Sequence, residues 1–426
     1  MSIVVPHLLT LAPSGPGKVL VHLESNRQRA PAIRPRRSVM LPERAKKRKL
    51  SHAEPLAKEG APPERASKPT VLLTDDRLRQ HSHPQRRHSE CPERLSRTLE
   101  FLEQSGLVSR CEGLTCEEPS EKELCAVHSP FYLQRLKSLR TAPRERLIEE
   151  AAQYDSVYLN EHSIECAMLA AGGVLKLARQ IWSGSAQNGI ALVRPAGHHA
   201  GVHNPSGFCL INSVAVAAKQ LLCEGCERVM IVDWDIHHGD GTQKMFLDDP
   251  RVLFVSLHRQ DHTTFPHNNP TGEPSVVGNS AGAGFNVNVA WGEPDMGDAE
   301  YAYAFERVIL PIAKSWAPQM ILVSAGFDAV RGDPLGDCCV STAGFGMMTR
   351  GLMEHADGKL LLALEGGYSL EQVPSCVATC VRALLGEGAT DDELAAQHNS
   401  SRCSTAGMEA VDATVREHAK HWPELL

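Results

Sequence analysis

A run of carboxylates and imidazoles near the middle of the chain has the residue types of a metal site. Residues 233–241 read Asp-Trp-Asp-Ile-His-His-Gly-Asp-Gly and directly follow the apolar run 229–232. In an extended strand the side chains alternate, so Asp233, Asp235 and His237 project to one side where the strand ends. Two carboxylates and an imidazole can hold a divalent cation. A lone Asp-x-His would more often be a surface turn, so this interpretation needs support from elsewhere in the chain.

Three further groups of polar residues also follow apolar runs. They are His198 and His199 behind residues 190–193, Asp328 behind residues 320–324, and Tyr368 behind residues 360–364. Open parallel sheets bind their ligands beyond the carboxyl ends of the strands. If these runs are strands of one sheet, four strand ends supply one rim. That coincidence favours the metal site over the surface turn.

Asp235 and His237 need a third ligand beside them, and a catalytic metal site keeps one further position open for water and substrate. Asp328 is the preferred candidate. Asp333 lies nearby, but a Gly-Asp-Pro turn more often uses its carboxylate to cap local backbone. Zinc suits this ligand set, iron(II) suits it as well, and the sequence does not distinguish the two. Such an ion would polarise a carbonyl and lower the pKa of bound water, which predicts a hydrolysis.

Hydrolysis of an amide also needs a proton acceptor that later protonates the leaving amine. The adjacent imidazoles of His198 and His199 can serve, and a carboxylate behind each would fix its tautomer. Asp233 and Asp240 are available for this task, since neither is needed as a ligand. Tyr368, which follows two glycines, could donate its hydroxyl to the developing oxyanion. Taken singly, the histidine pair would indicate a polar loop and Tyr368 an ordinary half-buried tyrosine.

Two phenylalanines could line a narrow apolar slot for an extended aliphatic substrate. They are Phe208, in Gly207-Phe208-Cys209, and Phe265, in Thr264-Phe265-Pro266. Pockets for small ligands are mostly apolar, with a few polar groups that fix the orientation of the ligand. Either phenylalanine taken alone would more often belong to the core.

The elements that must position these residues begin at about Thr70, where short apolar runs start to alternate with longer amphipathic ones. Strands are predicted at 71–74, 190–193, 229–233, 252–257, 320–324 and 360–364. Helices are predicted at 163–182, 213–223, 299–316, 342–356 and 371–385. Strands separated by helices need crossover connections. The pattern therefore predicts an α/β fold, with a multi-stranded parallel sheet covered by helices on both faces.

Charge divides the 426 residues into two parts. Residues 1–69 hold 14 Lys and Arg against 5 Asp and Glu, whereas residues 70–426 hold 30 against 46. The first part is also rich in Pro and Arg and poor in aromatic residues, which is typical of a disordered tail. The second part is predicted to be the folded domain. Its acidic charge would favour encounters with basic substrates.

The tail carries two possible targeting signals. Residues 44–49, Arg-Ala-Lys-Lys-Arg-Lys, have the composition that nuclear import receptors bind, although a solvated charge run is an equal alternative. Residues 1–40 contain one acidic residue, Glu24, as in an organellar transit peptide, which we rank below the nuclear interpretation. Thirteen scattered cysteines favour a reducing compartment, and no apolar run is long enough to span a membrane.

An ordered series of motifs resembles the zinc-dependent histone deacetylases of class II. The series covers roughly residues 70–424 and consists of His88-Ser-Glu-Cys-Pro-Glu-Arg-Leu, Gly197-His-His-Ala, Gly207-Phe-Cys-Leu-Ile-Asn, Asp233-Trp-Asp-Ile-His-His-Gly-Asp-Gly, Gly326-Phe-Asp, Gly332-Asp-Pro-Leu-Gly, Glu365-Gly-Gly-Tyr and Val415-Arg-Glu-His-Ala-Lys-His-Trp. The resemblance implies an arginase/deacetylase fold, with residues 70–426 as the catalytic domain. It also implies hydrolysis of N6-acetyl-lysine in proteins to lysine and acetate.

The resemblance further implies roles for individual residues. The zinc ligands would be Asp235, His237 and Asp328. The proton-transfer and oxyanion groups would be His199 as general base and acid, His198 as its electrostatic partner, Asp233 and Asp240 behind them, and Tyr368. Substrate contacts would come from the rim residue Asp155 and from the tunnel residues Gly207, Phe208, Phe265 and Leu335. A structural potassium ion would be held by Asp233, Asp235, His237, Ser256 and Leu257.

Two positions bear on the subtype. Vertebrate class IIa members carry His where this chain has Tyr368 and are poor deacetylases, so the resemblance implies an active enzyme. Polyamine-preferring relatives carry Glu at the position of Leu335, and beside Leu335 a free ammonium group would lack its countercharge.

The chain departs from the family in residues 201–206 and in residues 263–266, where Thr-Thr-Phe-Pro has one aromatic residue before the proline instead of two. Both departures concern the shape of the tunnel.

Three functions stay open at this level. The preferred one is deacetylation of lysine in histone tails or other proteins, within corepressor or other complexes, without sequence-specific contact to nucleic acid and without a membrane. The second is hydrolysis of acetylpolyamines or other small acetylated amines. The third is a corepressor scaffold with a weak active site. The predicted compartments are the nucleus, the cytoplasm or both, with an organelle as the alternative.

Overall fold

Eight parallel strands form the centre of the fold. The structure, a computed structural model, describes residues 68–267 and 269–426. The strands are β1 (Thr70–Leu73), β2 (Glu112–Leu114), β3 (Asn188–Ala191), β4 (Val229–Asp233), β5 (Val252–Arg259), β6 (Asn286–Trp291), β7 (Met320–Ala325) and β8 (Leu360–Leu364). Their order across the sheet is β2-β1-β3-β8-β7-β4-β5-β6, and every neighbouring pair is parallel. The predicted parallel sheet is confirmed.

Helices connect the strands. They are α1 (Glu93–Gln104), α2 (Glu121–Leu124), α3 (Pro130–Leu139), α4 (Arg144–Ala151), α5 (Ser163–Ser183), α6 (Ser213–Cys223), α7 (Asp240–Phe246), α8 (Asp298–Ala304), α9 (Leu310–Trp316), α10 (Thr342–Met353), α11 (Val373–Leu384), α12 (Asp391–Gln397) and α13 (Thr405–His418). A π-helical turn, Phe305–Ile309, joins α8 to α9, so the predicted helix 299–316 is one continuous helical segment with a wider turn in it.

The central strands are buried on both faces. Every residue of β4, β7 and β8 is buried. Because successive side chains of a strand point to opposite faces, uniform burial means that both faces of the sheet are covered. This requirement explains the unbroken apolar sequences Met-Ile-Leu-Val in β7 and Leu-Leu-Leu-Ala-Leu in β8.

The four strands that precede the chemically interesting residues are consecutive in the sheet. Their order is β3, β8, β7 and β4, and all four run in the same direction. Their carboxyl ends therefore meet at one edge, where an open α/β sheet binds ligands. Chain segments from four distant parts of the sequence converge there.

The predicted tail of residues 1–69, with its targeting signals, lies outside the described residues except for Lys68 and Pro69. Within residues 68–267 and 269–426, no helix combines the length and the apolar character needed to cross a membrane.

Candidate active site

Asp235, His237 and Asp328 lie together at the carboxyl ends of β4 and β7. The imidazole Nδ1 of His237 is 3.0 Å from Asp235 Oδ1 and 3.0 Å from Asp328 Oδ2. One donor atom of each residue lies within 4.8 Å of the other two. Both carboxylates are fully buried, and His237 is 9% exposed. The structure brings together the three predicted metal ligands, although 93 positions separate Asp235 from Asp328.

Backbone N–H groups orient the two carboxylates. Asp235 Oδ2 accepts the N–H of Gly366 at 2.8 Å, and Asp328 Oδ1 accepts the N–H of Ile236 at 2.9 Å. Each carboxylate therefore keeps one oxygen for the backbone and directs the other towards His237. Hydrogen bonds from surrounding groups to the metal-binding side chains fix the ligand geometry in metal sites.

The charge of the cluster fits a divalent cation. Burial would lower the pKa of His237, but the carboxylates of Asp328 and Asp235 outweigh burial and raise the pKa to about 10. The cluster therefore favours positive charge at this point. The donor atoms are two carboxylate oxygens and one imidazole nitrogen, and all three residues are buried. Zinc and iron(II) both accept this set of ligands.

The histidine pair has the carboxylate partners that the sequence predicts. His198 Nδ1 is 3.0 Å from Asp233 Oδ2, and His199 Nδ1 is 3.1 Å from Asp240 Oδ1. The two imidazole centroids are 3.9 Å apart. A carboxylate at Nδ1 places the proton there and leaves Nε2 as the atom that can exchange a proton with substrate. The second oxygen of Asp240 pairs with Lys244 at 2.6 Å.

The two imidazoles differ in protonation. Burial would lower the pKa of His198, but the carboxylates of Asp233 and Asp235 raise it well above its usual range. Burial and the neighbouring charge of His198 lower the pKa of His199 to about 3, although Asp240 acts in the opposite direction. His198 is therefore the charged member of the pair, and His199 is the neutral one.

Tyr368 reaches the site through a turn of two glycines behind β8. A Cβ atom at Gly366 would lie 2.1 Å from Asp328 Oδ2, so the backbone could not pass this close to the ligands with any other residue. Gly367 has a φ of 107°, which side chains rarely permit. Burial and the charge of Asp328 raise the pKa of Tyr368 well above its usual range, so its hydroxyl keeps the proton and can donate it in a hydrogen bond.

A narrow cavity of about 230 Å³ leads to these groups. It is lined by Ser156, His199, Gly207, Phe208, His237, Thr263, Thr264, Phe265, His267, Leu335 and Tyr368. The ring of Phe265 stands edge-on to His199, with centroids 4.8 Å apart, and the ring of Phe208 stands edge-on to Tyr368 at 6.0 Å. The predicted tunnel residues Gly207, Phe208, Phe265 and Leu335 therefore line one cavity with the catalytic candidates.

The predicted rim residue Asp155 lies beside the tunnel motif. Its backbone carbonyl accepts the N–H of Gly207 at 3.1 Å, and the next carbonyl, of Ser156, accepts the N–H of Phe208 at 2.8 Å. The Asp155 side chain is exposed and accepts a hydrogen bond from the Ser156 hydroxyl at 2.9 Å. Its carboxylate is therefore accessible to a substrate, next to Ser156, which lines the cavity.

Polar contacts shape residues 261–266, the loop in which the sequence departs from the motifs it resembles. Asp261 Oδ1 accepts the backbone N–H groups of Thr263 at 2.8 Å and Thr264 at 2.9 Å, and both threonine hydroxyls as well. Asp261 Oδ2 pairs with Arg259 at 2.6 Å, and Arg259 also donates to the carbonyl of Gly336 at 3.1 Å. Arg259 thus ties the Phe265 loop to the loop that carries Leu335.

The five residues of the predicted potassium site lie in two paired strands or directly after one of them. Asp233 in β4 is level with Ser256 in β5, and Leu257 follows it. All of these are buried, while Asp235 and His237 continue the chain directly beyond β4. The grouping is compatible with a cation site, which stays a prediction.

Three further residues hold the site together; the sequence pattern predicts only a local backbone cap for Asp333 and does not single out Glu365 or Arg94. Glu365 Oε2 accepts the N–H groups of Gly197 at 2.6 Å and His198 at 3.2 Å, and so positions the histidine pair. Arg94 donates to the carbonyls of Glu365 and Gly367, and its guanidinium lies 5.1 Å from the centroid of the Tyr368 ring. Asp333 accepts backbone N–H groups of the Tyr368 turn. Glu365 and Arg94 both lie in motifs that carry the family resemblance, and this is the sequence signal that could have indicated their roles.

Comparison with known proteins identifies the family. The profile described as "Histone deacetylase domain" matches residues 88–384. The chain belongs to the histone deacetylase family. Histone deacetylase 5 of Arabidopsis thaliana is 44% identical over 320 residues, which cover 74% of this chain and 48% of that protein. The mouse protein named polyamine deacetylase HDAC10 is 44% identical over 299 residues, which cover 70% of this chain and 45% of that protein.

A solved structure confirms the fold of the family. The crystal structure of the HDA15 HD domain superposes with a TM-score of 0.75 at 37% sequence identity, covering 84% of this chain and 97% of that one. The predictions of a class II histone deacetylase and of an arginase/deacetylase fold are therefore confirmed. The chain spans about half the length of the curated relatives it matches.

Proposed function

We propose that the chain hydrolyses N6-acetyl-lysine in proteins, such as histone tails, to lysine and acetate. The observation that carries the proposal is the lining of the cavity, in which the buried side chains of His199, His237 and Tyr368 share one space with the less buried rings of Phe208 and Phe265. A lysine side chain is a flexible apolar stem and suits a passage between two aromatic rings. The acidic charge of residues 70–426 supports a basic polypeptide as substrate.

The residues that would hold the metal are Asp235, His237 and Asp328. We propose zinc, with iron(II) as the alternative. When bound, the ion would polarise the acetyl carbonyl and lower the pKa of water. We also propose a structural potassium ion at Asp233, Asp235, His237, Ser256 and Leu257.

Proton transfer would be carried out by His199. In its neutral form, with Nδ1 bound to Asp240, its Nε2 accepts the proton of the attacking water. The C–N bond of the resulting tetrahedral species then breaks, and the same Nε2 returns the proton to the leaving amine. His198, held in its charged form by Asp233, stabilises the negative charge that develops nearby.

Tyr368 would stabilise the oxygen that gains charge. Its hydroxyl is protonated and Tyr368 lines the cavity together with His199 and His237, so it can donate a hydrogen bond to that oxygen. A donor that is already in place needs no reorganisation when the charge develops. The presence of Tyr368 supports an active enzyme over a vestigial one.

Acetylpolyamines are the second candidate substrate, because relatives named polyamine deacetylase are 39–44% identical to this chain. Leu335 argues against them. It lines the cavity and is 37% exposed, so it offers an apolar surface where a free ammonium group would need a countercharge.

Substitution of Leu335 by Glu should move the preference towards acetylpolyamines. We expect the ratio of kcat/KM for acetylpolyamine to that for acetyl-lysine peptide to rise by roughly tenfold or more, since a hydrogen-bonded charge contributes about 1.5–3 kcal/mol. The measurement is a side-by-side assay with histone, tubulin and polyamine substrates. Leu335→Gln is the matched control, because it has the same shape as Glu without the charge. Faster turnover of acetylpolyamine than of acetyl-lysine peptide by the unmodified chain would overturn the proposed preference.

A corepressor scaffold with a weak active site is the third candidate. Tyr368→Phe and His199→Ala separate it from catalysis, because a scaffold would keep its biological function in both variants. We further propose that the chain works within corepressor or other protein complexes in the nucleus, the cytoplasm or both. Microscopy of the full chain against a chain that starts at Lys68 tests the nuclear interpretation of residues 44–49 against the organellar one.

A further inference from the structure

The buried carboxylate of Asp333 joins two loops at the active site. It lies in the Gly332-Asp333-Pro334 turn behind β7 and is 5% exposed. Its Oδ1 accepts the N–H of Leu335 at 2.9 Å. Its Oδ2 accepts the N–H groups of Tyr368 at 2.6 Å and Ser369 at 3.0 Å. One side chain thus holds the cavity residue Leu335 and the oxyanion donor Tyr368.

The turn that carries Tyr368 needs such a contact. Two glycines precede Tyr368, and glycine restrains the backbone less than any other residue. Arg94 binds the turn on its carbonyl side, through Glu365 and Gly367. Asp333 binds it on its amide side, at Tyr368 itself. The position of the Tyr368 hydroxyl depends on both, since a tyrosine side chain is rigid beyond two torsions.

We propose that Asp333 is a positioning residue, which sets Tyr368 against the reacting carbonyl and links that position to the loop of Leu335. The inference deepens the proposed deacetylation and rests on it. A displacement of about 1 Å in a group that stabilises the transition state can lower the rate by about 100-fold. Asp333 should therefore act on kcat, with little effect on KM.

The chemistry of the contact requires a carboxylate. Three backbone N–H donors converge on the two oxygens of Asp333, and both oxygens act as acceptors. An asparagine at this position would have one acceptor oxygen, and its NH2 group would face at least one N–H donor. Asp333→Asn should therefore remove at least one of the hydrogen bonds that hold the backbone at Leu335, Tyr368 and Ser369, while it keeps the shape of the side chain.

The experiment is a double-mutant cycle with the metal-loaded full chain. We expect Asp333→Asn to lower kcat on acetyl-lysine peptide by roughly 10–100-fold with KM changed less than about threefold. In a Tyr368→Phe background the same substitution should lower kcat by less than about threefold, because the group that it positions is gone. Equal effects in both backgrounds would overturn the proposal. Asp333→Glu provides the same cycle if Asp333→Asn does not fold.

Asp298→Asn is the matched control. Asp298 accepts the N–H of Ser341 at 2.8 Å and its hydroxyl at 2.7 Å, so it holds a loop in the same manner at α10. It should lower the melting temperature and leave kcat unchanged. A kcat loss equal to that of Asp333→Asn would mean that the effect comes from general destabilisation, and the proposal would be wrong.

Hydrogen exchange gives a readout that does not need activity. The amides of Tyr368 and Ser369 should exchange faster in Asp333→Asn than in the unmodified chain, measured by mass spectrometry on a peptide that covers residues 366–370. If the unmodified chain were inactive, the proposed function would be wrong. The exchange measurement would still test the contact between Asp333 and the amides of Tyr368 and Ser369. Unchanged exchange in these amides would overturn the role of Asp333.

Discussion

His198 and His199 are identical neighbours that acquire opposite protonation from their contacts. Asp233 and Asp235 raise the pKa of His198 well above its usual range, against the effect of burial. Burial and the charge of His198 lower the pKa of His199 to about 3. Residue type therefore supplies the chemistry, and the partners decide which imidazole can accept a proton at neutral pH.

The contribution of Asp240 can be separated from that of His199. His199→Ala removes the proton acceptor and should lower kcat by about 10²–10⁴-fold. Asp240→Asn leaves the imidazole in place and should lower kcat by about 10–100-fold, because it only weakens the orientation of the ring. The measurement is kcat on an acetyl-lysine peptide at matched metal content.

Lys244→Gln is the control for Asp240. Lys244 pairs with the second oxygen of Asp240, and its side chain is 51% exposed. Its loss leaves the bond between Asp240 and His199 intact, so kcat should change less than about threefold. If Asp240→Asn were as damaging as His199→Ala, an orienting role for Asp240 would be wrong.

Asp333 shows the limit of prediction at this scale. The sequence predicts that its carboxylate caps local backbone, and the structure shows that contact at Leu335, two residues on. The contact with Tyr368 spans 35 positions and depends on β7 and β8 lying side by side. A local motif contains no information on such a contact. The same holds for Glu365, which binds the backbone at Gly197.

At the scale of elements, a buried ionic cluster connects the start of α1 with the ends of β3 and β8. Glu90 pairs with Arg94 at 3.1 Å and with Arg194, and the hydroxyl of Tyr158 also donates to its carboxylate. Glu90 and both arginines are at most 2% exposed. Arg94 continues the contact to the carbonyl of Glu365 at 2.6 Å. The cluster therefore holds three elements behind the Tyr368 turn.

Glu90→Gln should destabilise the fold in a pH-dependent way. Burial would raise the pKa of Glu90, but Arg194 and Arg94 hold it well below the ordinary value of 4.5. The stability from the ionised group is thus fully present above about pH 4.5 and is lost as the pH falls through the lower folded pKa. Removing the charge leaves buried Arg194 uncompensated, so we expect a loss of about 3–5 kcal/mol at pH 7.

Urea unfolding at about pH 7, 5 and 3.5 measures this effect. The difference in the free energy of unfolding between Glu90→Gln and the unmodified chain should be the same at about pH 7 and pH 5, and smaller at about pH 3.5. Glu93→Gln, an exposed neighbour on the same segment, should change the free energy of unfolding by less than about 0.5 kcal/mol at every pH. A difference for Glu90→Gln that persists unchanged at about pH 3.5 would contradict the assigned charge.

The predicted elements differ in accuracy for physical reasons. The strands β4 and β8 have the predicted ends, because their apolar residues are continuous and polar residues bound them. The helix α6 also has the predicted ends, with Asn212 capping its first turn and Glu224 following its last residue. The strand β6 was missed because its sequence alternates Asn with Val, and asparagine is rare in strands. In the structure Asn286 and Asn288 are buried and donate to the side-chain oxygen of Gln243, each at 3.0 Å. The edge strand β2 was missed because it has three residues and little burial.

At the scale of the whole molecule, the sheet determines where distant residues meet. The site predicted from four strand ends is assembled because β3, β8, β7 and β4 are neighbours in the sheet. Their hydrophobic sequences predict that they are buried parallel strands, but the strand order follows from packing of the whole chain. The sequence therefore predicted which residues would meet and left open the contacts between their loops.

The metal should stabilise the whole domain, because its ligands join the ends of β4 and β7. An ion that binds only the folded chain adds about 2.7 kcal/mol when its concentration is 100 times its Kd. Removal of the ion by a chelator should therefore lower the melting temperature, and added zinc should restore it. In Asp328→Asn, with one ligand charge lost, the melting temperature should respond much less to the chelator and to zinc. A response equal to that of the unmodified chain would contradict the assignment of Asp328 as a ligand.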